Sequence, residues 1–265
     1  NFILSSMDLN KTSFKKTIKE AIKLGYAESN PSSDINGEDV ASKVKILSSL
    51  SFNSFINHNI HIEGIKDIDV EDIKNTNKLG YKIKLMGFSE IINNKIYQRV
   101  HPTLVKKKSY IASVDGVLNA VIVEGKPVGK NIIQGEGAGP SATTSALISD
   151  LSSIMRGNIK FPFSISSKKR IEYSSGKITD LYFSSYIRLN VKDKYGILSN
   201  VTKIFSNNKV SIKRVLQSPN QNKKNSSIVI ITHSSKDSNI LKTLKTLAKK
   251  PYIIQKPKLL RIENG

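Results

Sequence analysis

Cysteine, long apolar segments and acidic residues are what this sequence lacks or has little of. Without cysteine, the chain can form neither disulfide bonds nor thiolate metal sites, which agrees with a reducing cytoplasm. No segment approaches the roughly 18 consecutive apolar residues of a membrane span, and the first residues lack the basic and apolar parts of a secretion signal. These absences predict a cytoplasmic protein with no membrane partner.

Basic residues outnumber acidic ones, 42 Lys and Arg against 21 Asp and Glu, for a formal net charge of +21. A clustered basic face binds nucleic acid by neutralising phosphates and releasing counterions. Here the lysines are spread over the whole chain and arginine is scarce, which is more typical of a solvated surface. We therefore predict no nucleic-acid partner and keep nucleic-acid binding as the last of three hypotheses.

The length of 265 residues suits two domains of about 100–200 residues each. Between Ser164 and Asp180 the composition turns to Ser, Lys and Gly without hydrophobic periodicity, so we place the boundary there. The predicted bounds are 1–163 for the first domain, 164–182 for a linker and 183–265 for the second domain.

The second domain is predicted to be a βαββαβ unit, the ferredoxin-like arrangement with helices on one face of an antiparallel sheet. Its apolar segments predict, in order, a strand at Tyr186–Val191, a helix at Leu198–Asn207, strands at Val210–Gln217 and Ile228–Thr232, a helix at Ile240–Leu247 and a strand at Ile253–Arg261.

The first domain is predicted to mix helices and strands, which places the whole chain in the α+β or α/β class. The patterns predict a helix at 12–24 that ends at Gly25, a polar loop at Glu28–Gly37, a second helix through Leu50, a hairpin of Val117–Val123 with Val128–Ile133, a loop at Gly135–Pro140 and a helix from Ala146 to Met155.

Lys43 on the second helix is the candidate for proton transfer. At about 100° per residue, it falls within the apolar stripe of that helix. The stripe consists of Val40, Val44, Leu47 and Leu50. A lysine on an inward face loses hydration, which lowers its pKa unless carboxylates keep it charged.

Three carboxylates accompany this lysine: Asp39 one turn earlier, and Asp34 and Glu28 in the preceding loop. A semi-buried amine among carboxylates can donate a proton to an aldehyde oxygen as hydride arrives, or remove it in reverse. The alternative interpretation is an ordinary solvated pair of an acid and a lysine four residues apart.

The glycine loop is a candidate for cofactor contact. Gly135, Gly137 and Gly139 precede a helix start, where backbone N–H groups can approach a phosphate or a cofactor ring. The loop follows neither the Walker pattern nor G-x-G-x-x-G, so a tight turn without a ligand is the alternative. The histidines have no partner at motif spacing, and no metal site is predicted.

Several segments together resemble the signature of homoserine dehydrogenases. They are Gly25-Tyr26-Ala27-Glu28, Asn30-Pro31, Asp34-Ile35, Gly37 and the helix with Asp39, Ala41 and Lys43, supported by Asn1–Leu4, Gly80–Leu85, Val117–Val121 and Gly135–Gly139. In the second domain, Asp193–Leu198 resembles the strand-to-helix turn of an ACT domain; Tyr195 stands where that family usually has proline, and Gly196 is retained.

The resemblance implies an NAD(P)-dependent oxidoreductase that interconverts L-aspartate 4-semialdehyde and L-homoserine, in the biosynthesis of threonine, methionine and isoleucine. It implies the following roles: Lys43 with Asp39 as the catalytic acid/base pair, Glu28, Asp34 and Tyr26 as substrate-binding residues, Gly135, Gly137 and Gly139 at NADP or NAD, and Gly196 with Ile197 at an amino-acid effector, threonine. It also implies a homodimer or homotetramer.

The chain begins with Asn1 rather than Met, so we expect a preceding segment. The family's phosphate-binding fingerprint belongs to a Rossmann domain that these residues do not contain, and the resemblance assigns a monovalent-cation site to the same missing part. We therefore expect the chain alone not to be fully active. An amino-acid-sensing ACT protein without catalysis is the second hypothesis.

Overall fold

The computed structural model describes residues 1–137, 139–158, 166–219 and 225–263. They form two compact units, one of Asn1–His101 with Lys106–Ser175 and one of Pro102–Val105 with the residues from Gly176 onward. Residue 163, the predicted end of the first domain, and Ala138 of the glycine loop lie outside the described residues. The domain bounds stay a prediction. Along the described residues, no helix is long and apolar enough to cross a membrane.

The first unit mixes helices with short and long strands. Its helices are α1 (Phe2–Asn10), α2 (Phe14–Lys23), α3 (Ser32–Asn36), α4 (Glu38–Ser51), α5 (Val70–Lys78) and α6 (Pro140–Met155). Its strands are β1 (His61–Ile62), β2 (Tyr81–Ile92), β3 (Lys95–Lys106), β4 (Leu118–Gly125), β5 (Gly129–Glu136) and β6 (Ser174–Ser175). Helices α2, α4 and α6 and the antiparallel hairpin of β4 and β5 confirm predicted elements.

The predicted polar loop before α4 is wrong in part, because residues Ser32–Asn36 form helix α3. The start of this helix has a local cause. Oδ1 of Asn30 accepts a hydrogen bond from the backbone N–H of Ser32 over 3.3 Å, and Pro31 precedes the first helical residue. Both features favour a helix start.

Strand β3 is central in the sheet of the first unit. It pairs with β2 and runs parallel to β1 and β6. Asn93 and Asn94 join β2 to β3, with φ angles of 49° and 59° that are typical of a two-residue hairpin turn. The strand is buried along most of its length although it contains Gln98, Arg99 and His101.

Helix α4 packs on this sheet through small and β-branched side chains. Its buried residues are Ala41, Val44, Ser48 and Ser49, and the first two share an apolar cluster with Val100 of β3. The predicted apolar stripe is wrong in its second half, because Leu47 and Leu50 are exposed. The face on the sheet is the one that carries the small residues.

The second unit is the predicted βαββαβ fold. Its elements are β7 (Tyr182–Lys192), α7 (Ile197–Asn207), β8 (Ile212–Pro219), β9 (Asn225–Thr232), β10 (Ser235–Lys236), α8 (Asp237–Ala248) and β11 (Lys258–Ile262). The strands lie in the order β11, β7, β9, β8, with antiparallel neighbours. One apolar core joins both helices to one face of the sheet, so this prediction is confirmed.

The last strand begins later than predicted. It starts at Lys258, whereas Ile253 makes only an isolated bridge to Val191. Pro257 directly precedes the strand and has no N–H to donate to a neighbouring strand. At the other edge of β11, Arg261 and Ile262 pair in parallel with Thr103 and Leu104, which lie in the part of β3 that belongs to the second unit.

Candidate active site

Asp39 and Lys43 form an ion pair on helix α4. Nζ of Lys43 donates a hydrogen bond to Oδ2 of Asp39 over 2.6 Å, across one helical turn. Asp39 lies in the first turn of the helix, where the positive end of the helix dipole favours a carboxylate. The sequence therefore places one cation and one anion side by side at the start of a helix seated on the sheet.

The expectation that Lys43 is semi-buried is wrong. Its side chain is 62% exposed, and that of Asp39 is 41% exposed. The cause is the rotation of α4: Ala41 and Val44 face the sheet, and Lys43 lies about 100° around the helix from Val44. Lys43 is thus accessible from solvent.

Asp34 and Glu28 surround the pair electrostatically. Partial burial raises the pKa of Asp34, and the negative charge of Asp39 acts in the same direction. The charge of Lys43 opposes these effects, and Glu28 contributes a smaller repulsion. The structure therefore brings the four predicted charged residues within range of each other's fields, although only Lys43 and Asp39 are in direct contact.

Tyr26 and Glu28 follow the end of α2. Gly25 has a φ of +72°, and the backbone N–H of Tyr26 donates to the carbonyl of Ala21 over 3.0 Å, which reverses the chain after the helix. The Tyr26 ring packs against Phe2 of α1, with centroids 5.1 Å apart. Glu28 lies in an exposed loop.

The predicted cofactor glycines lie on β5 and before α6. Gly135 pairs with Asn119 across the hairpin, and a Cβ atom on Gly137 would overlap the Asn119 side chain. Gly139 precedes α6 with a φ of +112°. Among the described residues, no hydrogen bond or ion pair joins these glycines to Lys43 or Asp39.

The buried lysine of the first unit is Lys84 of β2, which our sequence reasoning missed. Its side chain is only 7% exposed, and Nζ lies 2.7 Å from Oδ1 of Asp115. The ammonium group also donates to the carbonyl of Val114. Burial lowers the pKa of Lys84, while the hydrogen bond to Asp115 acts to raise it.

A second lysine completes this cluster. Nζ of Lys82 lies 2.8 Å from Oδ2 of Asp115, and Oγ of Ser5 donates to Oδ1 over 3.1 Å. The signal was present in the sequence, because residues 82 and 84 alternate with apolar residues and therefore share one face of a strand. The partner, 31 residues further on, carried no comparable signal.

A separate cavity lies in the second unit, at the turn from β7 to α7. Its volume is about 250 Å³, and it is lined by Val191, Lys192, Asp193, Lys194, Gly196, Ile197, Leu198, Ser199, Gln217 and Ile228. Gly196 has a φ of +77°, a conformation that a residue with a side chain rarely adopts. Both predicted effector residues therefore line one cavity.

Comparison with known proteins identifies the family. The model of the homoserine dehydrogenase family matches residues 1–152, which is more than half of the chain. The chain belongs to the homoserine dehydrogenase family. The model of the AHAS small subunit-like ACT domain matches residues 187–255, in agreement with the βαββαβ fold of the second unit.

Proteins named homoserine dehydrogenase resemble the chain over its full length. Those of Helicobacter pylori and Bacillus subtilis are 36% and 33% identical to it. A crystal structure of a homoserine dehydrogenase from Thiobacillus denitrificans has a TM-score of 0.90 at 32% identity and covers 100% of this chain. The chain spans 62% of the length of each of these three proteins.

No cluster of metal-ligating side chains occurs in the part of the chain that the structure describes. There, His, Asp and Glu side chains form no group of three or more that could hold a metal ion.

Proposed function

We propose that this chain carries the substrate-binding and regulatory parts of an NAD(P)-dependent oxidoreductase that interconverts L-aspartate 4-semialdehyde and L-homoserine. The observation that carries the proposal is the contact of 2.6 Å between Lys43 and Asp39, on an exposed face of α4, in a chain of the homoserine dehydrogenase family. The reaction belongs to the biosynthesis of threonine, methionine and isoleucine. A cytoplasmic location remains a prediction.

Lys43 acts as the general acid in the direction of reduction. The Lys43 ammonium would donate a proton to the oxygen of the forming alcohol as the aldehyde carbon receives the hydride that a bound nicotinamide cofactor would supply. In the direction of oxidation, the neutral amine removes the same proton. Asp39 orients Nζ through its hydrogen bond.

The carboxylates next to Lys43 suit the amino group of the substrate. Burial raises the pKa of Asp34, and repulsion by Asp39 and, less strongly, by Glu28 acts in the same direction. A substrate ammonium that lies between them would reduce this repulsion. Tyr26, two residues before Glu28 in the sequence, is proposed to line the same pocket.

The glycine loop is proposed to meet the nicotinamide part of NADP or NAD. A Cβ atom added to Gly135 or Gly139 would have no heavy atom within 4 Å, so the space beside these residues is open to a flat ring. We propose that this chain supplies the substrate side of the site.

The test is oxidation of NADPH that depends on aspartate semialdehyde. The chain is fused behind a nucleotide-binding domain of a related enzyme, and Lys43→Ala is compared with Lys45→Ala on the same helix. General acid catalysis contributes about 10²–10⁴-fold, so we expect a loss of that size in Lys43→Ala and little change in Lys45→Ala. Near-normal turnover of Lys43→Ala would reject the assigned role, and an inactive but folded fusion would reject the proposed function.

We further propose an amino-acid effector, threonine, in the cavity of the second unit. Asp193, Lys192 and Lys194 line this cavity together with the apolar Ile197. Groups of both signs match the ammonium and carboxylate of a free amino acid. If the chain lacks catalytic activity in any fusion, this cavity favours the second hypothesis, an amino-acid sensor.

The effector test is the melting temperature of the chain at increasing L-threonine. A ligand that binds only the folded state raises stability by about 2.7 kcal/mol at a hundred times its dissociation constant. Asp193→Asn should abolish this rise, whereas Asp180→Asn, outside the cavity, should preserve it. An unchanged melting temperature at millimolar threonine would count against threonine, and a rise with another amino acid would reassign the effector.

We propose a homodimer or homotetramer that buries helix α6. This helix exposes Leu147, Ile148, Leu151, Ile154 and Met155, and contiguous apolar surface of this kind marks interaction sites. Sedimentation equilibrium of the chain tests the proposal, and Leu151→Glu should shift the protein toward the monomer. A monomer at high micromolar concentration would contradict it.

A further inference from the structure

Gly87 of β2 lies directly against helix α4. A Cβ atom added to Gly87 would lie 2.3 Å from Cγ2 of Val44 and 3.1 Å from Cγ1 of Val40. Carbon atoms in van der Waals contact are about 3.5–4.0 Å apart. A side chain at position 87 therefore cannot share this space with α4 in its present position.

Val44 has little freedom to make room. It is buried in the cluster with Ala41 and Val100, and a valine in a helix strongly prefers one χ1 rotamer. A methyl group at position 87 would also approach Val100, at 3.6 Å from its Cγ2 atom. Since the side chains around Gly87 are packed, the added group would displace the helix itself.

A second glycine, Gly64, lies against the end of helix α3, which directly precedes α4. A Cβ atom on Gly64 would lie 2.3 Å from the carbonyl oxygen of Ile35 and 2.8 Å from Cα of Asn36. The backbone N–H of Ile65 donates to that carbonyl over 2.9 Å. Gly64 therefore lies against the end of α3 at Asn36, which is two residues after Asp34. Gly87 lies against α4 at Val44, which is one residue after Lys43.

We propose that Gly87 is a positioning residue for the acid/base pair, because its lack of a side chain sets how closely α4 approaches the sheet and so where Asp39 and Lys43 lie. The catalytic consequence rests on the proposed function. A displacement of catalytic groups by about 1 Å can cost about 10²-fold in rate. Gly87→Ala should therefore lower kcat about tenfold or more, with a smaller effect on KM.

A compensating variant separates positioning from general damage. Val44→Ala removes the methyl group that the new Cβ atom would meet, so Gly87→Ala/Val44→Ala should recover kcat toward the value of Val44→Ala alone. Gly125→Ala is the matched control, since Gly125 also lies in a strand, and an added Cβ atom there has no heavy atom within 4 Å. The control should leave kcat unchanged.

The experiment combines kcat and KM of these variants in the fusion enzyme with an NMR titration of the Asp34 carboxyl in this chain. Asp34 senses the charges of Asp39 and Lys43, so its titration midpoint should move in Gly87→Ala and return in the double variant. Unchanged kcat and midpoint in folded Gly87→Ala, or no rescue by Val44→Ala, would overturn the proposal. If the wild-type fusion does not reduce aspartate semialdehyde, the proposed function fails, and the titration still decides whether Gly87 positions the charged residues.

Discussion

Nζ of Lys43 and Oδ2 of Asp39 lie 2.6 Å apart on helix α4, yet the lysine side chain is 62% exposed. An exposed pair at this spacing contributes only about 0.3–0.5 kcal/mol to stability. The pair is therefore too weak to hold the helix in place. Its position comes from the buried contacts of Ala41 and Val44 beneath it.

The first prediction follows from this weakness. Lys43→Ala should lower the free energy of unfolding of the chain by about 0.5 kcal/mol or less, because the lysine buries little surface. Urea denaturation measures the change, with Lys45→Ala as the control. A decrease in the free energy of unfolding of more than about 3 kcal/mol, as expected for a buried pair, would show that Lys43 has a structural role. Loss of activity in Lys43→Ala would then not be evidence for proton transfer.

The sequence predicts the second unit well because its segments are locally consistent. Apolar residues alternate in β7, follow one another without interruption in β9 and recur with helical spacing in α7. Gly196 marks the turn between β7 and α7. Each local preference agrees with the final fold, which is the condition under which pattern reasoning succeeds.

The long hairpin of the first unit was not predicted, and β3 shows why. Gln98, Arg99 and His101 are buried in it, although polar residues in a row resemble a loop. Arg99 is tolerated because its guanidinium lies 2.6 Å from Oε1 of Glu90 and 4.5 Å from the centroid of the Phe88 ring. These partners come from the neighbouring strand, so the pattern of β3 alone does not reveal them.

The contact between Lys43 and Asp39 could be predicted from the sequence, whereas their exposure could not. The spacing of Asp39 and Lys43 gives their contact, because residues four apart meet on a helix. It does not give the buried face of α4, which depends on small residues such as Ala41 and Ser48 and on the space at Gly87. The pattern of large apolar residues, which includes Leu47 and Leu50, therefore predicted the wrong buried face of α4.

The second prediction concerns the buried ammonium of Lys84. Asp115→Asn removes the carboxylate but leaves the lysine in place, so a nearly buried charge loses its main partner. Breaking a buried pair costs about 3–5 kcal/mol, and the partial exposure of Asp115 favours the lower end. Thermal or urea unfolding measures this cost. Lys84→Met/Asp115→Asn should recover most of it, and a double variant as unstable as the single one would contradict the explanation.

The third prediction is a dependence of stability on pH. Burial acts to raise the pKa of Asp115, but hydrogen bonds from Lys82 and Lys84 outweigh it and lower the pKa to about 2. The pKa of an aspartate in the unfolded chain is about 3.9. Ionised Asp115 therefore makes its full contribution to the stability of the folded state above that pH, and the contribution is lost as pH falls through about 2.

Urea denaturation at a series of pH values tests this dependence. The free energy of unfolding should fall between about pH 5 and pH 1, and the fall should be smaller in Asp115→Asn. Asp34 has the opposite effect on stability, because burial raises its pKa. Its ionisation as pH rises destabilises the folded state. Asp34→Asn should remove this loss of stability. Equal acid slopes in wild type and Asp115→Asn would contradict the assignment.

The fourth prediction concerns the second unit, where Arg261 and Asp237 are both fully buried. Nε of Arg261 donates to Oδ1 of Asp237 over 2.7 Å and Nη2 donates to Oδ2 over 3.2 Å, a bidentate geometry that is strong in a dry environment. Asp237→Asn keeps the shape but removes the charge that compensates the guanidinium. It should cost about 3–5 kcal/mol, measured by urea denaturation of the chain.

Asp180→Asn is the control, because Asp180 and Lys236 form an exposed pair at 3.6 Å worth about 0–1 kcal/mol; similar losses in the two variants would show that burial does not decide the strength of these pairs.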